Sequence, residues 1–323
     1  MKGILEKNWV KGLISLILTF GIVQVLISTN IINDYLQSTL ATICINIILA
    51  VSLNLITGFT GQFSLGHAGF MSIGAYVCAL ITLNNRTIPG FILGVFAGAI
   101  VAAIVGFLVG LPTLRLKGDY LAIATLGMAE IIRIIFTNLD SITNGPAGLQ
   151  DIPQFTNWPW LFLYTAGTII IISNFIRSSH GRACISIRED EIASEAMGIN
   201  STKNKVTAFT IGAFFAGIAG ALYASTFNFI NPKIFDFSKS INILVIVVLG
   251  GLGSISGSVI AAIVLEIINT YLQSFADIQM ILYSLLLVII MIFRPQGLMG
   301  SKEISFSVFG KLSSLFAPKK GRV

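Results

Sequence analysis

The sequence predicts an all-α membrane protein, a polytopic helical bundle of about ten spans in which two helices are broken by glycine, and three observations carry that prediction. Of 323 residues, 55% are apolar and 11% charged, where an average soluble domain carries roughly 25% charged residues. Mean hydropathy is +0.89. Apolar runs recur along the whole chain, and each approaches the roughly 20 residues needed to cross a hydrocarbon core about 30 Å thick. Lys and Arg are concentrated in alternate loops, the pattern that orients membrane helices. A water-soluble enzyme of this composition could not cover its own surface, and the net charge of +6 needs no nucleic-acid partner to explain it.

The first run, Leu13–Ser28, follows Lys2, Lys7 and Lys11 and has the layout of a signal peptide. No small-residue cleavage site follows at Ser28–Ile31, so it reads as a retained helix. The further spans are Leu40–Thr57, Ala68–Leu83, Phe91–Leu111, Tyr120–Thr137, Pro159–Ile176, Val206–Phe227, Ile241–Leu252, Ser256–Leu272 and Met280–Phe293, with the short third and eighth runs open to a re-entrant reading. Threaded alternately from a cytoplasmic N-terminus, 16 of the 20 Lys and Arg fall on one side, including Arg115, Lys117, Arg177, Arg182, Arg188, Lys203, Lys205 and the six from Arg294 onward. Positive charge marks the cytoplasmic side, so both termini are expected inside an inner membrane. The expected division is a cytoplasmic tail (1–11), a single membrane domain (12–293) with a cytoplasmic loop (177–205), and a cytoplasmic tail (294–323). Loops on the opposite side, such as 137–157 and 228–240, are richer in Asn, Asp, Pro and Trp.

Two spans end in glycine-rich runs. The second ends through Gly58, Gly61, Gln62, Ser64 and His67, with Asn54 about one turn before, and the eighth through Gly250, Gly251, Gly253 and Ser254. Irregular backbone is not tolerated against lipid, which offers amide groups no partner. Both breaks are therefore expected to face protein or a water-filled path, and glycine-interrupted segments in corresponding halves point to a translocation route. Close helix packing or a tight turn is the alternative, and it is the preferred reading for Gly98, Gly106, Gly110, Gly212, Gly217 and Gly220.

The loop after the sixth span carries a second signal. Ser186 and Glu189 have capping-box spacing, Glu189, Asp190 and Glu191 complement a helix N-terminus, and Gly198 suits a C-terminal cap. Ile192, Ala193, Ala196 and Met197 form one narrow apolar stripe, suited to a groove on another protein. An interfacial helix is the alternative, but four acids, counting Glu195, would be repelled by anionic lipid.

Within the spans, Glu130 and Arg133 stand three apart and can pair on one helix face, as a structural pair or a gate. Glu266 has no sequence-local partner and needs one from another helix. His67 is open to two readings, a proton relay and a lone structural hydrogen-bonding histidine. A self-sufficient ion-coupled carrier or channel would use these four residues as its machinery. Cys44, Cys78 and Cys184 suggest neither a disulfide framework nor a metal site. No phosphate-binding loop, metal-spaced cluster or nucleophile elbow is present, so no cofactor is expected on this chain and the energy for uphill transport must come from elsewhere.

Five blocks, in order along the chain, resemble the branched-chain amino acid permeases of ABC importers, the larger of their two related membrane subunits: Leu114–Ile123, Asn138–Pro146, Ser186–Asn200, Val248–Ser254 and Phe293–Leu298. The resemblance implies a heterodimer with a second, related permease, two cytoplasmic ATPases that bind the ATP, and a periplasmic or lipid-anchored binding protein delivering leucine, isoleucine or valine. It places Arg188, Glu189, Asp190, Glu191, Ile192, Ala193, Glu195, Ala196, Met197 and Gly198 in the segment that couples to the ATPases. Related permeases for urea or short amides share the glycine-rich breaks, so the resemblance constrains mechanism more tightly than substrate.

Overall fold

A computed structural model describes residues 18–29, 32–114, 116, 118–273, 281, 284–285, 288 and 297–300. Among them the regular elements are all helices, with a single isolated antiparallel bridge between Leu149 and Ile230. The helices are α1 (Leu18–Ser28), α2 (Asp34–Asn54), α3 (His67–Asn84), α4 (Ile88–Thr113), α5 (Asp119–Asn138), α6 (Asp140–Thr143), α7 (Trp158–Arg177), α8 (Ser179–Glu189), α9 (Glu191–Ala196), α10 (Ser201–Phe227), α11 (Phe237–Gly250) and α12 (Ile255–Leu272). Seven of the described helices are long and apolar enough to cross a membrane: α2 with its continuation to Phe59, α3, α4, α5, α7, α10 and α12. The eighth expected span is the 14-residue α11, which begins four residues earlier than its hydropathy suggests because Asp236 caps it, accepting the Lys239 N–H at 3.0 Å. The tenth expected span, 280–293, and the tails 1–11 and 301–323 lie almost entirely outside the described residues, as do Arg115 and Lys117.

Helix starts follow local chemistry. Thr87 Oγ1 accepts the Gly90 N–H at 3.2 Å beside Pro89 in the first turn of α4, and Asn200 Oδ1 accepts the Lys203 N–H at 2.9 Å at the start of α10. Exposed side chains on α4, α5 and α7, among them Leu93, Ile104, Ile123, Ile134 and Leu163, are large and apolar. Hydrocarbon is the solvent for such a surface.

The centre of the bundle is a triplet of α3, α4 and α10, packed backbone to backbone through small residues. A Cβ on Gly98 would stand 2.8 Å from the Gly74 carbonyl oxygen, and one on Gly217 would stand 2.8 Å from Ala102 Cβ. Hydrophobicity provides little drive for association between helices within lipid, so this close van der Waals contact is what holds them. The close-packing reading of Gly98 and Gly217 is what the structure contains. Below the triplet lies α2, whose residues from Cys44 to Asn54 are buried except at no more than isolated atoms.

At the C-terminal end of α10 the loop 149–155 is laced to the chain that follows the helix. Leu149 and Ile230 exchange backbone bonds at 2.9 and 3.0 Å, and Ile152 N–H donates to the Asn228 carbonyl at 3.2 Å. Ser225 Oγ donates to the Pro153 carbonyl at 3.0 Å and accepts the Phe155 N–H at 3.0 Å. At the other end of the fold, Leu298 and Met299 donate to the carbonyls of Leu249 and Gly250 at 2.7 and 3.2 Å, satisfying the end of α11.

Candidate functional site

The two glycine-rich runs meet. After Asn54, α2 continues as a π-turn, Leu55–Phe59, and the backbone then runs without helix to His67. α11 stops at Gly250, and α12 starts at Ile255 with Ser254 Oγ accepting the Gly257 N–H at 3.1 Å. Asn54, fully buried, joins the two. Its Oδ1 accepts the Gly253 N–H at 2.9 Å, and its Nδ2 donates to the Ser254 carbonyl at 2.8 Å and to Ser258 Oγ at 2.7 Å. Gly58 permits the approach, because a Cβ there would fall onto both Asn54 Oδ1 and the Gly253 nitrogen. Gly253 itself has φ +85°, which favours glycine. Asn54, Gly58, Gly250, Gly251, Gly253 and Ser254, separated by about 200 residues in sequence, thus form one seam.

Gln62, Ser64 and His67 occupy the far side of the first break, between α5 and α11. Leu65 N–H donates to Thr125 Oγ1 at 3.1 Å, and Ala68 N–H donates to Ser240 Oγ at 3.3 Å. His67 Nε2 and Ser52 Oγ are hydrogen-bonded at 2.8 Å. Thr57 Oγ1, both side-chain amide atoms of Gln62 and His67 Nδ1 are buried with no hydrogen-bond partner among the described residues. Leaving a buried donor or acceptor unmet costs about 1–3 kcal/mol, so a cluster of them in one segment is a feature of the site.

The segment 186–198 departs from its sequence reading. Ser178 already caps a helix, accepting the Gly181 N–H at 3.3 Å, so α8 runs through Ser186 to Glu189 and the serine is interior, hydrogen-bonded to Ser194 Oγ at 2.5 Å. The chain turns at Asp190 (φ −154°, ψ 110°), whose carboxylate caps the six-residue α9 through the Ala193 N–H at 3.0 Å. Gly198, at φ +84°, ends it, with Gly198 and Ile199 N–H groups returning to the Glu195 and Ser194 carbonyls at 2.9 and 3.0 Å. Ile192 (78% exposed), Met197 (83%), Ala193, Glu195 and Ala196 all point outward. Glu191 instead pairs with Lys205 on α10 at 2.6 Å, and Arg188 turns inward: its Nη1 donates to the Gly58 carbonyl at 2.8 Å, while Nε and Nη2 hold Glu189 at 3.1 and 2.5 Å. Gly61 packs against the Arg188 stem, a Cβ there standing 3.1 Å from Cγ.

Cys184, buried on α8, has its thiol pushed up to about 11 by burial, partly offset by a hydrogen bond with Thr60 in the first break. Cys44 and Cys78 are also buried. In native membranes at pH 7.5, maleimide labelling of the three should run at less than about a tenth of its rate after SDS denaturation, because reaction requires an accessible thiolate. Rapid native labelling at Cys184 would contradict this packing of α8 on the break.

The intramembrane charges are paired within the chain. Arg133 Nε donates to Glu130 at 2.7 Å along α5. Glu266 accepts Asn46 Nδ2 at 3.0 Å, and Asn46 Oδ1 accepts Lys239 Nζ at 3.5 Å, so α2, α11 and α12 share one polar cluster. Sequence reading left Asn46 and Lys239 unassigned. The signals were an Asn inside an apolar run and a Lys two residues before the expected start of another. Neither cluster resembles a catalytic arrangement, and no group of metal-ligating side chains occurs among the described residues.

Residues 35–294 match the family model described as branched-chain amino acid transport system, permease component. The high-affinity branched-chain amino acid transport system permease protein LivM of Salmonella typhimurium is 39% identical over 289 residues, covering 79% of this chain and 68% of the relative. The corresponding LivH protein of Escherichia coli is 26% identical over 284 residues, covering 80% and 92%. A probable LivM of Methanocaldococcus jannaschii is 25% identical over 313 residues, covering 80% and 91%. No solved structure matches the chain.

Proposed function

Since the chain belongs to the branched-chain amino acid permease family, we propose that it is the membrane-spanning subunit of an ATP-driven importer that carries leucine, isoleucine or valine across the inner membrane by alternating access. It works beside a second, related permease, with two cytoplasmic ATPases that bind and hydrolyse the ATP and a periplasmic or lipid-anchored binding protein that delivers the substrate. Ten spans are counted in this reading, α1, α11 and the segment 280–293 joining the seven long helices, and both termini are cytoplasmic. The chain itself carries no cofactor.

The observation that supports this most directly is α9. It is a capped, six-residue knob whose apolar side chains all face away from the protein beside acids that disfavour a lipid headgroup surface. A folded segment that buries none of its own apolar stripe is built for a groove elsewhere. The seam beside it supplies the second half of the reading. Unmet polar atoms of Thr57, Gln62 and His67 lie along a break in the helix, where a zwitterion's ammonium and carboxylate can be matched against backbone dipoles.

Because Glu191 holds Lys205, the clean test changes only outward residues. In the assembled transporter, Ile192→Arg with Ala196→Arg should lower ATPase co-purification at least about tenfold, the loss of some 1.4 kcal/mol or more of docking free energy, while membrane insertion is unchanged. Undiminished co-purification would remove the coupling assignment. Uptake by proteoliposomes holding this chain alone would instead favour an ion-coupled carrier.

A further inference from the structure

Arg188 sits inside the coupling segment, but its contacts lead away from the exposed knob. The side chain is 31% exposed, and its guanidinium lies where three pieces of chain converge: the Gly58 carbonyl at the π-turn of the first break, Gly253 of the second break, and Glu189 at the end of α8. A Cβ on Gly253 would stand 2.8 Å from Nη1, so the absence of a side chain there is what admits the guanidinium. Gly61 gives way to the stem of the same residue in the same manner. Two glycines at positive φ, one from each break, therefore border one arginine donated by a third element. The π-turn adds to this. Such turns leave carbonyls without an ordinary helical partner, and Arg188 supplies a charged donor to one of them.

We infer that Arg188 is a positioning residue that ties the coupling segment to the seam between the two broken helices, so that displacement of α8 and α9 moves both breaks together. The inference rests on the proposed role of α9 as the ATPase contact and says what that contact pulls on. Arginine suits the task because its planar fork engages the Gly58 carbonyl with one edge and the Glu189 carboxylate with the other, and a lysine ammonium cannot span both in fixed geometry.

The test uses the complete transporter in proteoliposomes with loaded binding protein outside. Arg188→Ala should keep ATPase co-purification and basal ATP hydrolysis within about twofold of the parent, while substrate uptake falls at least about tenfold and loaded binding protein no longer stimulates hydrolysis. Uptake at the parental rate overturns the inference. So does loss of the ATPases, which would make Arg188 a docking residue; the Ile192→Arg, Ala196→Arg variant fails in that opposite manner, so the two readings are separable. If Arg188→Ala is not recovered from membranes, Arg188→Lys is read by the same measurements and should show partial uptake with full co-purification, and full uptake overturns the inference.

Discussion

Leucine in place of Gly74 should leave almost no folded protein recoverable from the membrane. A Cβ at that position would stand 2.5 Å from the Gly217 Cα and closer still to its carbonyl oxygen, and both belong to the backbone of α10. Overpacking against a side chain costs about 1–3 kcal/mol because rotamers give way. Backbone offers no such relief, and α3 would have to leave α10 and also α4, where Gly98 meets Gly74 from the other side. The expected loss exceeds about 4 kcal/mol, in the range reserved for core failure. Gly127→Leu on α5 is the control, since nothing lies within 4 Å of a Cβ there. Size-exclusion chromatography in mild detergent reads both. A monodisperse Gly74→Leu peak of parental height would contradict the packing of the triplet.

Asn54→Ala should destabilise the protein by roughly 3 kcal/mol, combining the unmet Gly253 N–H with the lost bonds to the Ser254 carbonyl and Ser258 Oγ. Asn54→Asp should be worse. A carboxylate keeps the acceptor for Gly253 but sets a negative charge against the Ser254 carbonyl oxygen in a fully buried position. Thermal unfolding in detergent should show midpoints in the order parent, Ala, Asp, with uptake falling in the same order. Equal midpoints for all three would mean that the seam is held by something other than Asn54.

How much of this was legible in sequence depended on range. Hydropathy located the long helices to within six residues at their ends, because membrane thickness imposes a length that composition reveals directly. The two glycine-rich runs where the backbone leaves the helix, 60–66 and 251–254, were legible as glycine clusters in apolar surroundings. Their meeting was not. Asn54 and Ser254 are 200 residues apart, and nothing in either stretch names the other. The same holds for Glu266 and Asn46, 220 residues apart, although the need for a partner could be stated from the cost of a charge in lipid. The reading of segment 186–198 failed at short range. Ser186 and Asp190 are both good caps, and the choice between them was made eight residues upstream of Ser186, where Ser178 starts α8. Arg188 entered the coupling segment through the family resemblance alone, whereas the positive-φ backbones of Gly61 and Gly253 open an inward berth for it that composition does not reveal.

The lacing of Leu149 and Ile152 to Ile230 and Asn228 bears on recognition at that end of the bundle. Fixing one residue's backbone costs about 1–2 kcal/mol in conformational entropy, and here that cost was met when the chain folded. A macromolecule landing on this loop has only side chains left to order. For any macromolecule that binds there, shape complementarity with a preformed relief, and not folding on contact, would govern capture, and cutting the lacing at Ser225 would leave a loop that has to be ordered anew at every encounter.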